Sequence, residues 1–255
     1  MKRLMPWMAA SLALYAAAFP AMAATDQAGG DAPQQAVQSA AQAQATTPTP
    51  APAPNPLDTL RQAAQQGDAA AQNKLGDLYA NGQQGMKQDY RQAARWYRQA
   101  ALQGNAQAQN SLGSLYANGQ GVRQNYAKAA HWYEKAAAQG VAPAQVELGI
   151  LYSDGRGVGR DYQKARQWLI KAADQGNANA MTSLGILYEL GLGVRRNRVT
   201  AYALYMLAVA SGGHQDAVHY RDRLHVYINR AARDKAKDLM QQMLKAKRVT
   251  AVIQP

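Results

Sequence analysis

The sequence predicts an all-α protein that is built as a right-handed solenoid of repeated helix pairs. Glycines recur every 36 residues at Gly104, Gly140, Gly176 and Gly212. The pattern Leu-Gly-x-Leu-Tyr, or a close variant, also recurs once in each repeat. Alanine and glutamine are frequent and β-branched residues are sparse, which favours helices over strands. A fixed period of about 20–50 residues is typical of solenoid proteins.

Each repeat reads as two helices separated by a glycine-containing loop. In the second repeat, Leu112 and Tyr116 recur at helical spacing on one face. Gly119 can end this helix because glycine tolerates the left-handed conformation of a C-terminal cap. The second helix then runs over 126–139. Asn125 is its predicted N-cap residue. The same repeat position holds a good N-cap side chain in the other units as well: Asp89, Asp161 and Asn197.

A glycine recurs inside the first helix of every repeat. A glycine in a helix interior costs about 1 kcal/mol relative to alanine, so its recurrence predicts a packing reason. The missing side chain would let two helices approach closely. The glycines at this position are Gly76, Gly113, Gly149 and Gly185.

The repeat domain is predicted to cover 57–248. Its four units span about 67–103, 104–139, 140–175 and 176–212, and a capping helix pair spans 213–248. The cap is expected because the second helix of unit four is apolar nearly all round and needs cover on both sides. The cap residues expected to face inward are Leu224, Val226, Tyr227, Ile228, Leu239, Met240, Met243 and Leu244.

The N-terminal quarter has a different composition. Lys2 and Arg3 precede an apolar run, and Ala21-Met22-Ala23 supplies a small-x-small cleavage pattern. Residues 1–23 are therefore predicted to be a secretory signal peptide. The periplasm is the expected location, and release to the outside of the cell is the alternative. Residues 24–56 are rich in Ala, Gln and Pro, which predicts a disordered linker. The absence of cysteine excludes disulfides and thiol chemistry.

The repeated motifs resemble those of Sel1-like repeats, which are relatives of tetratricopeptide repeats. The shared pattern is Ala-x3-Leu-Gly-x2-Tyr, then Gly-x-Gly-Val, then Ala-x2-Trp-x3-Ala-Ala-x2-Gly, over residues 67–212. This chain departs from it with Met86 in place of Val, one extra loop residue in unit one, and Leu204 in place of Trp. The resemblance implies a curved stack of helix pairs that is used for protein–protein contact, without catalytic activity.

No pattern in the sequence favours catalysis, a metal or a cofactor. His131 varies between repeats and reads as a solvated surface residue, and the serines have no partner histidine nearby in sequence. The Gly-x-Gly loops follow helices, whereas a dinucleotide loop follows a strand. Paired carboxylates for glycoside hydrolysis are missing. The chain is therefore predicted to be a non-enzymatic binding protein.

Positions that vary between units are the best candidates for partner contact. By analogy with tetratricopeptide repeats, one such face of the first helices lines a concave surface, polar in units one and two and more apolar in units three and four. The alternative is that the apolar residues pack between units. The predicted partner-binding residues are Asn73, Asp77, Gln107, Asn110, Ser114, Val146, Ile150, Thr182, Ile186 and Glu189.

Basic residues concentrate toward the C-terminus. The whole chain carries a formal charge of +12, and residues 195–248 contain 12 Lys/Arg against 4 Asp/Glu. Such a stretch is either a solvated outer face of the cap or a contact surface for anionic polysaccharide or lipid of the cell envelope. An exported protein is not expected to meet nucleic acid. The residues of this predicted basic patch are Arg195, Arg196, Arg221, Arg223, Arg233 and Lys237.

Overall fold

A computed structural model describes residues 55–213 and 215–253 of the 255-residue chain. The regular elements in this part are helices throughout. The predicted signal peptide lies outside the described residues, and so does the predicted linker except for Asn55 and Pro56. The helices are α1 (Pro56–Gln65), α2 (Ala69–Asn81), α3 (Tyr90–Leu102), α4 (Ala106–Asn118), α5 (Tyr126–Ala138), α6 (Ala142–Asp154), α7 (Tyr162–Ala173), α8 (Ala178–Leu190), α9 (Arg198–Ala210), α10 (Gln215–Tyr227) and α11 (Arg230–Ala246).

The helix ends follow the capping chemistry of the sequence. Asn125 Oδ1 accepts a hydrogen bond from the Lys128 amide at 2.9 Å, which satisfies a free donor at the start of α5. Gly119 ends α4 with a φ of +69°, a conformation that favours glycine. Equivalent caps recur in the other units, as predicted. At the N-terminal end, Asn55 caps α1 and Pro56 begins it, inside the predicted linker.

Helices pack against their neighbours in chain order, so units one to four correspond to the pairs α2–α3, α4–α5, α6–α7 and α8–α9. The first leucine of each repeated motif is at most 1% exposed. Alanines fill the helix contacts between these leucines, which lets the helix axes approach closely. Each unit buries its apolar side against its neighbours, so the buried residues form clusters that follow one another along the stack, with the partly buried Tyr79 and Tyr116 each bordering two of them. The four leucines are Leu75, Leu112, Leu148 and Leu184.

Buried glutamines join consecutive units. Gln109 Nε2 donates to the Ala101 carbonyl at 3.0 Å, and its Oε1 accepts from Gln139 Nε2 at 2.8 Å. Gln72 and Gln145 are buried in the same way. This arrangement satisfies buried polar groups that would otherwise destabilise the packing between units. Unit four has the apolar Met181 at this position, 3% exposed.

The cap covers α9, which is buried nearly all round as predicted. Leu224, Ile228 and Met243 face inward. Val226 and Tyr227 do not: they are 79% and 69% exposed, because α10 buries its other side.

Leu244 is also exposed, at 49%, contrary to expectation. The folded part continues beyond the predicted boundary at residue 248: Val249 and Ile253 are buried. Asp174 holds this segment by accepting hydrogen bonds from the amides of Val249 at 2.7 Å and Thr250 at 3.2 Å. None of the helices in the described ranges is both long enough and apolar enough to span a membrane.

Candidate protein-binding surface

The interior glycine of each first helix faces a side chain of the second helix. A Cβ atom placed on Gly113 would lie 2.7 Å from Cδ1 of Tyr133, and one on Gly185 would lie 2.4 Å from Cε1 of Tyr205. The predicted packing reason is therefore confirmed, and the close neighbour in these units is an aromatic ring. Gly76 faces Tyr97 in the same way. In unit three the corresponding residue is Leu169.

The tyrosines present their hydroxyls to the surface on which the predicted partner-binding residues lie. This surface, formed by the predicted positions on α2, α4, α6 and α8, is called the inner face below. Tyr97 Oη donates to Asp77 Oδ1 at 2.7 Å, and Ser111 of the next unit lies beside it. Burial raises the pKa of Tyr97 above its usual value, and the Asp77 carboxylate raises it further.

Unit two repeats this polar arrangement with different partners. Ser114 of its own unit lies beside the Tyr133 hydroxyl, and the charge of Glu147 in the next unit acts on it. Burial is again the largest cause of a raised tyrosine pKa, and the Glu147 charge adds to it. The inner face of units one and two therefore has a floor of hydrogen-bonding groups.

Unit three breaks this pattern. Leu169 is shorter than tyrosine and has no hydroxyl, so the place beside Ile150 and Ser183 is left open. A depression of about 700 Å³ lies here, lined by these residues together with Ile186 and Leu192. Its floor is apolar, and it sits on the inner face between units three and four.

Nine of the ten predicted partner-binding residues are at least partly accessible, and Val146 is buried. Gln107 is exposed, and the residues listed at the end of this paragraph are partly buried. Several of this group already have an internal partner: Asn73 donates to Asp77, and Thr182 donates to a carbonyl of its own helix. The partly buried residues are Asn73, Asp77, Asn110, Ser114, Ile150, Thr182 and Ile186.

Val146 is a correction to the sequence-based prediction, and Glu189, which is also partly buried, has partners inside the fold. Val146 is 5% exposed and packs in the core that units three and four share, so its contacts lie between units. Glu189 accepts a hydrogen bond from Tyr205 Oη at 2.8 Å and pairs with Arg223 at 2.7 Å. Its side chain is only 13% exposed. Both residues support the fold of unit four.

The predicted basic residues border two different depressions or have partners inside the fold. Arg195 and Arg196 line a depression of about 870 Å³ next to α9, whereas Arg221 lines another with Tyr202. Arg233 donates to the carbonyls of His225 and Ile228 and so closes the C-terminal end of α10.

The remaining cap residues of this group have acidic partners nearby. Arg221 pairs with Asp222, which raises the pKa of the arginine. Lys237 pairs with Asp234 at 3.4 Å. These contacts explain part of the basic stretch as local stabilisation of the cap.

Tyr133 and Leu169 are absent from the sequence-based predictions above. The signal was available, because the residue directly after the repeated tryptophan is Tyr97, Tyr133 and then Leu169. The loop arginines beside the depression, Arg156 and Arg160, were missed because a loop position does not reveal which face it borders.

The exposed His131 lies on α5. Within residues 55–213 and 215–253, no group of three or more His, Asp or Glu residues is arranged to hold a metal ion.

The helix pairs, their interior glycines and the capping pair define an α-solenoid of the tetratricopeptide-like class. The model of the Sel1 repeat matches four consecutive segments: 69–105, 106–141, 142–177 and 178–213. The chain therefore belongs to the Sel1 repeat family. Proteins of this family commonly serve as non-enzymatic scaffolds for protein interaction.

Solved structures agree with this assignment. A protective antigen of uropathogenic Escherichia coli strains that displays an SLR fold is 35% identical, with a TM-score of 0.63 over 77% of this chain. This chain spans 46% of that protein's length. A Sel1 repeat protein from Oxalobacter formigenes is 28% identical, with a TM-score of 0.54 over 76% of this chain and 90% of the other. No curated protein matches the chain.

Proposed function

We propose that the chain is an exported scaffold protein that holds a segment of a partner protein along the groove of its inner face. The observation that carries this proposal is the contrast between constant and variable positions. The first leucine of each motif, Leu75 in unit one, is buried in every unit, and each helix glycine lies against a side chain of the second helix. The inner-face side chains change from Asn110 and Ser114 in unit two to Ile150 in unit three, and they remain partly accessible.

The chemistry of the inner face suits a protein segment. Protein-binding surfaces combine a small apolar centre with polar groups around it, and the apolar anchors supply most of the affinity. Here the apolar centre lies at Ile150 and Ile186, and Tyr97 and Tyr133 bring hydrogen-bonding groups to one side of it. A segment that crosses several units would place an apolar side chain near Ile150 and amide or hydroxyl groups beside Asn110.

The location of this scaffold is proposed from the sequence. Residues 1–23 would direct export to the periplasm, and residues 24–56 would act as a spacer before the repeats. The second candidate, attachment to anionic polysaccharide or lipid through the basic cap, has less support. Arg223 and Arg233 are engaged in contacts inside the fold, and Arg195 and Arg221 line different depressions.

The test is a selection of random 12-residue peptides displayed on phage against the purified chain, with affinities then measured by fluorescence anisotropy. Asn110→Arg and Ile186→Asp, both on the inner face, are expected to weaken selected peptides by about tenfold or more, as truncation of an interface anchor does. Gln167→Arg is the matched control, because Gln167 lies exposed on α7. It should change affinity by less than about twofold.

Two outcomes contradict the proposal. The first is that no peptide is selected above background. The second is that Gln167→Arg, or charge reversal at Arg221 and Lys237, weakens the peptides as much as the inner-face variants do. An effect of the charge reversal at Arg221 and Lys237 would instead favour the cap as the binding surface.

A further inference from the structure

The depression of unit three has the features of an anchor pocket within the proposed groove. Units one, two and four place a tyrosine ring against the helix glycine, and unit three places Leu169 there. The leucine fills the space over Gly149: a Cβ atom placed on Gly149 would lie 2.8 Å from Cγ of Leu169. It does not reach the volume that the outer ring and hydroxyl occupy in the other units.

The walls of this volume come from two units: isoleucines and leucines form its apolar part, and Ser153, Asp154 and Ser183 border it as polar groups. Ile150 projects from α6, and Ile186 and Leu187 project from α8. Leu187 is 3% exposed and Leu169 is 1% exposed, so they form a fixed floor, whereas Ile150 and Ile186 are partly accessible. A cavity of about 700 Å³ with such walls has room for a large aliphatic or aromatic side chain.

The mouth of the depression carries guanidinium groups from the loop between α6 and α7. Arg156 is paired with Asp154 and also lies near Glu147. Arg160 differs, because its contact among the described residues is a 3.3 Å hydrogen bond from Nη2 to the backbone oxygen of Asp154. A guanidinium has five N–H donors, so Arg160 retains donors for a carboxylate that comes from outside.

We propose that this pocket takes a bulky apolar side chain, leucine or phenylalanine, from a partner segment in which an Asp or Glu side chain lies next to it. The apolar side chain fills the place that tyrosine occupies in the other units. The neighbouring carboxylate pairs with Arg160 at the mouth. This inference rests on the proposed function, since it names the chemistry that the groove selects.

The test uses the full chain with isotope-labelled isoleucine and leucine methyl groups, observed by nuclear magnetic resonance. The probes are three synthetic peptides: acetyl-Gly-Glu-Leu-Glu-Gly-amide, the same peptide with central alanine, and the same peptide with lysines in place of the glutamates. The first peptide is expected to shift the methyl signals of Ile150 and Ile186, and the shifts should saturate as the peptide concentration rises. The alanine and lysine peptides should bind at least about tenfold more weakly.

Leu169→Tyr is the decisive variant, because it restores the residue of the other units and fills the pocket. It is expected to abolish the shifts, and Arg160→Glu is expected to reverse the preference between glutamate and lysine probes. Thermal unfolding monitored by circular dichroism checks the fold of each variant. Ile150→Asp replaces Leu169→Tyr if the latter does not fold, since Ile150 is partly exposed and its change should also abolish binding.

The outcomes separate this inference from the proposed function. If library peptides bind and Asn110→Arg weakens them, but Leu169→Tyr and Arg160→Glu change nothing, the groove stands and the pocket proposal is overturned. If the glutamate peptide shifts no methyl signal up to about 10 mM, a range that covers even weak contacts, the pocket proposal is also overturned. Shifts that survive in Leu169→Tyr place binding elsewhere and overturn it equally.

Discussion

In unit two the ring of Tyr133 lies over Gly113, with Ser114 beside its hydroxyl and the Glu147 charge acting on it, whereas in unit three Leu169 lies over Gly149 and leaves a depression beside Ile150. The first leucine of the motif is buried in both units, and a glycine ends the first helix of each. Three positions therefore distinguish the two inner faces: Tyr133 or Leu169, Ser114 or Ile150, and Glu147 or Ser183. Repeats let the surface vary in this way because each unit needs only its packing residues to remain in place.

The largest expected effect is a loss of stability when a side chain is added at the helix glycine of unit two, where the tyrosine ring packs. Gly113→Val would force its Cβ to within 2.7 Å of the Tyr133 ring, which is 2% exposed and has little room to move. We expect the free energy of unfolding to fall by about 3 kcal/mol, measured by urea denaturation.

Gly159→Val is the control for this substitution, since nothing lies within 4 Å of a Cβ at Gly159. Its effect should stay within about 0.5 kcal/mol. Gly149→Val should cost less than Gly113→Val, because Leu169 borders an open depression. Equal losses at the two glycines would contradict the difference between units two and three.

A smaller effect is expected from placing in unit two the leucine that unit three has over its helix glycine. Tyr133→Leu removes a buried ring and should lower the free energy of unfolding by about 1–2 kcal/mol. It should also open a depression in unit two, now bordered by the polar Ser114 and Glu147. A crystal structure of this variant checks the depression; a collapsed inner face with no new volume would count against the account.

The smallest effect of a single substitution concerns the contribution of one tyrosine to the pH dependence of stability. Burial raises the pKa of the Tyr97, Tyr133 and Tyr205 hydroxyls above the unfolded value, which is about 10. The folded state then keeps protons that the unfolded state loses, so stability is full below about pH 10 and falls as the pH rises further. Each such tyrosine contributes a slope of up to about 1.4 kcal/mol per pH unit.

Urea unfolding midpoints between about pH 8 and pH 11, a range that brackets the unfolded tyrosine pKa, measure this slope. The chain with Tyr133→Leu has one fewer buried hydroxyl and should show a shallower fall. An unchanged slope in that variant would mean that Tyr133 is not the protonated, buried group described above.

The fold was predictable because packing chemistry repeats. The glycine period, the N-caps such as Asn125 and the all-round apolar character of α9 each have one physical meaning that is independent of partner contacts. The site was only partly predictable. Val146 and Ile150 are both apolar on the same helix, yet only the structure shows that Val146 is in the core and Ile150 borders a depression.

In the cap, the roles of charged residues were likewise not predictable from the sequence. In the sequence, Arg223 and Arg233 cannot be told apart from an exposed arginine. In the structure Arg223 pairs with Glu189, and Arg233 closes the end of α10. Contacts between residues that are far apart in the chain decide these roles. Sequence periodicity does not encode them, because the cap is not a repeat.

The central claim is that partners bind at the inner face. A photoreactive amino acid placed at Ile150, Asn110 or Gln167 in the chain, followed by irradiation of intact cells, tests it most directly. The account predicts discrete crosslinked adducts from Ile150 and Asn110, and none from Gln167 on the exposed side of α7. Adducts that form equally from Gln167, or from none of the three positions, would contradict it.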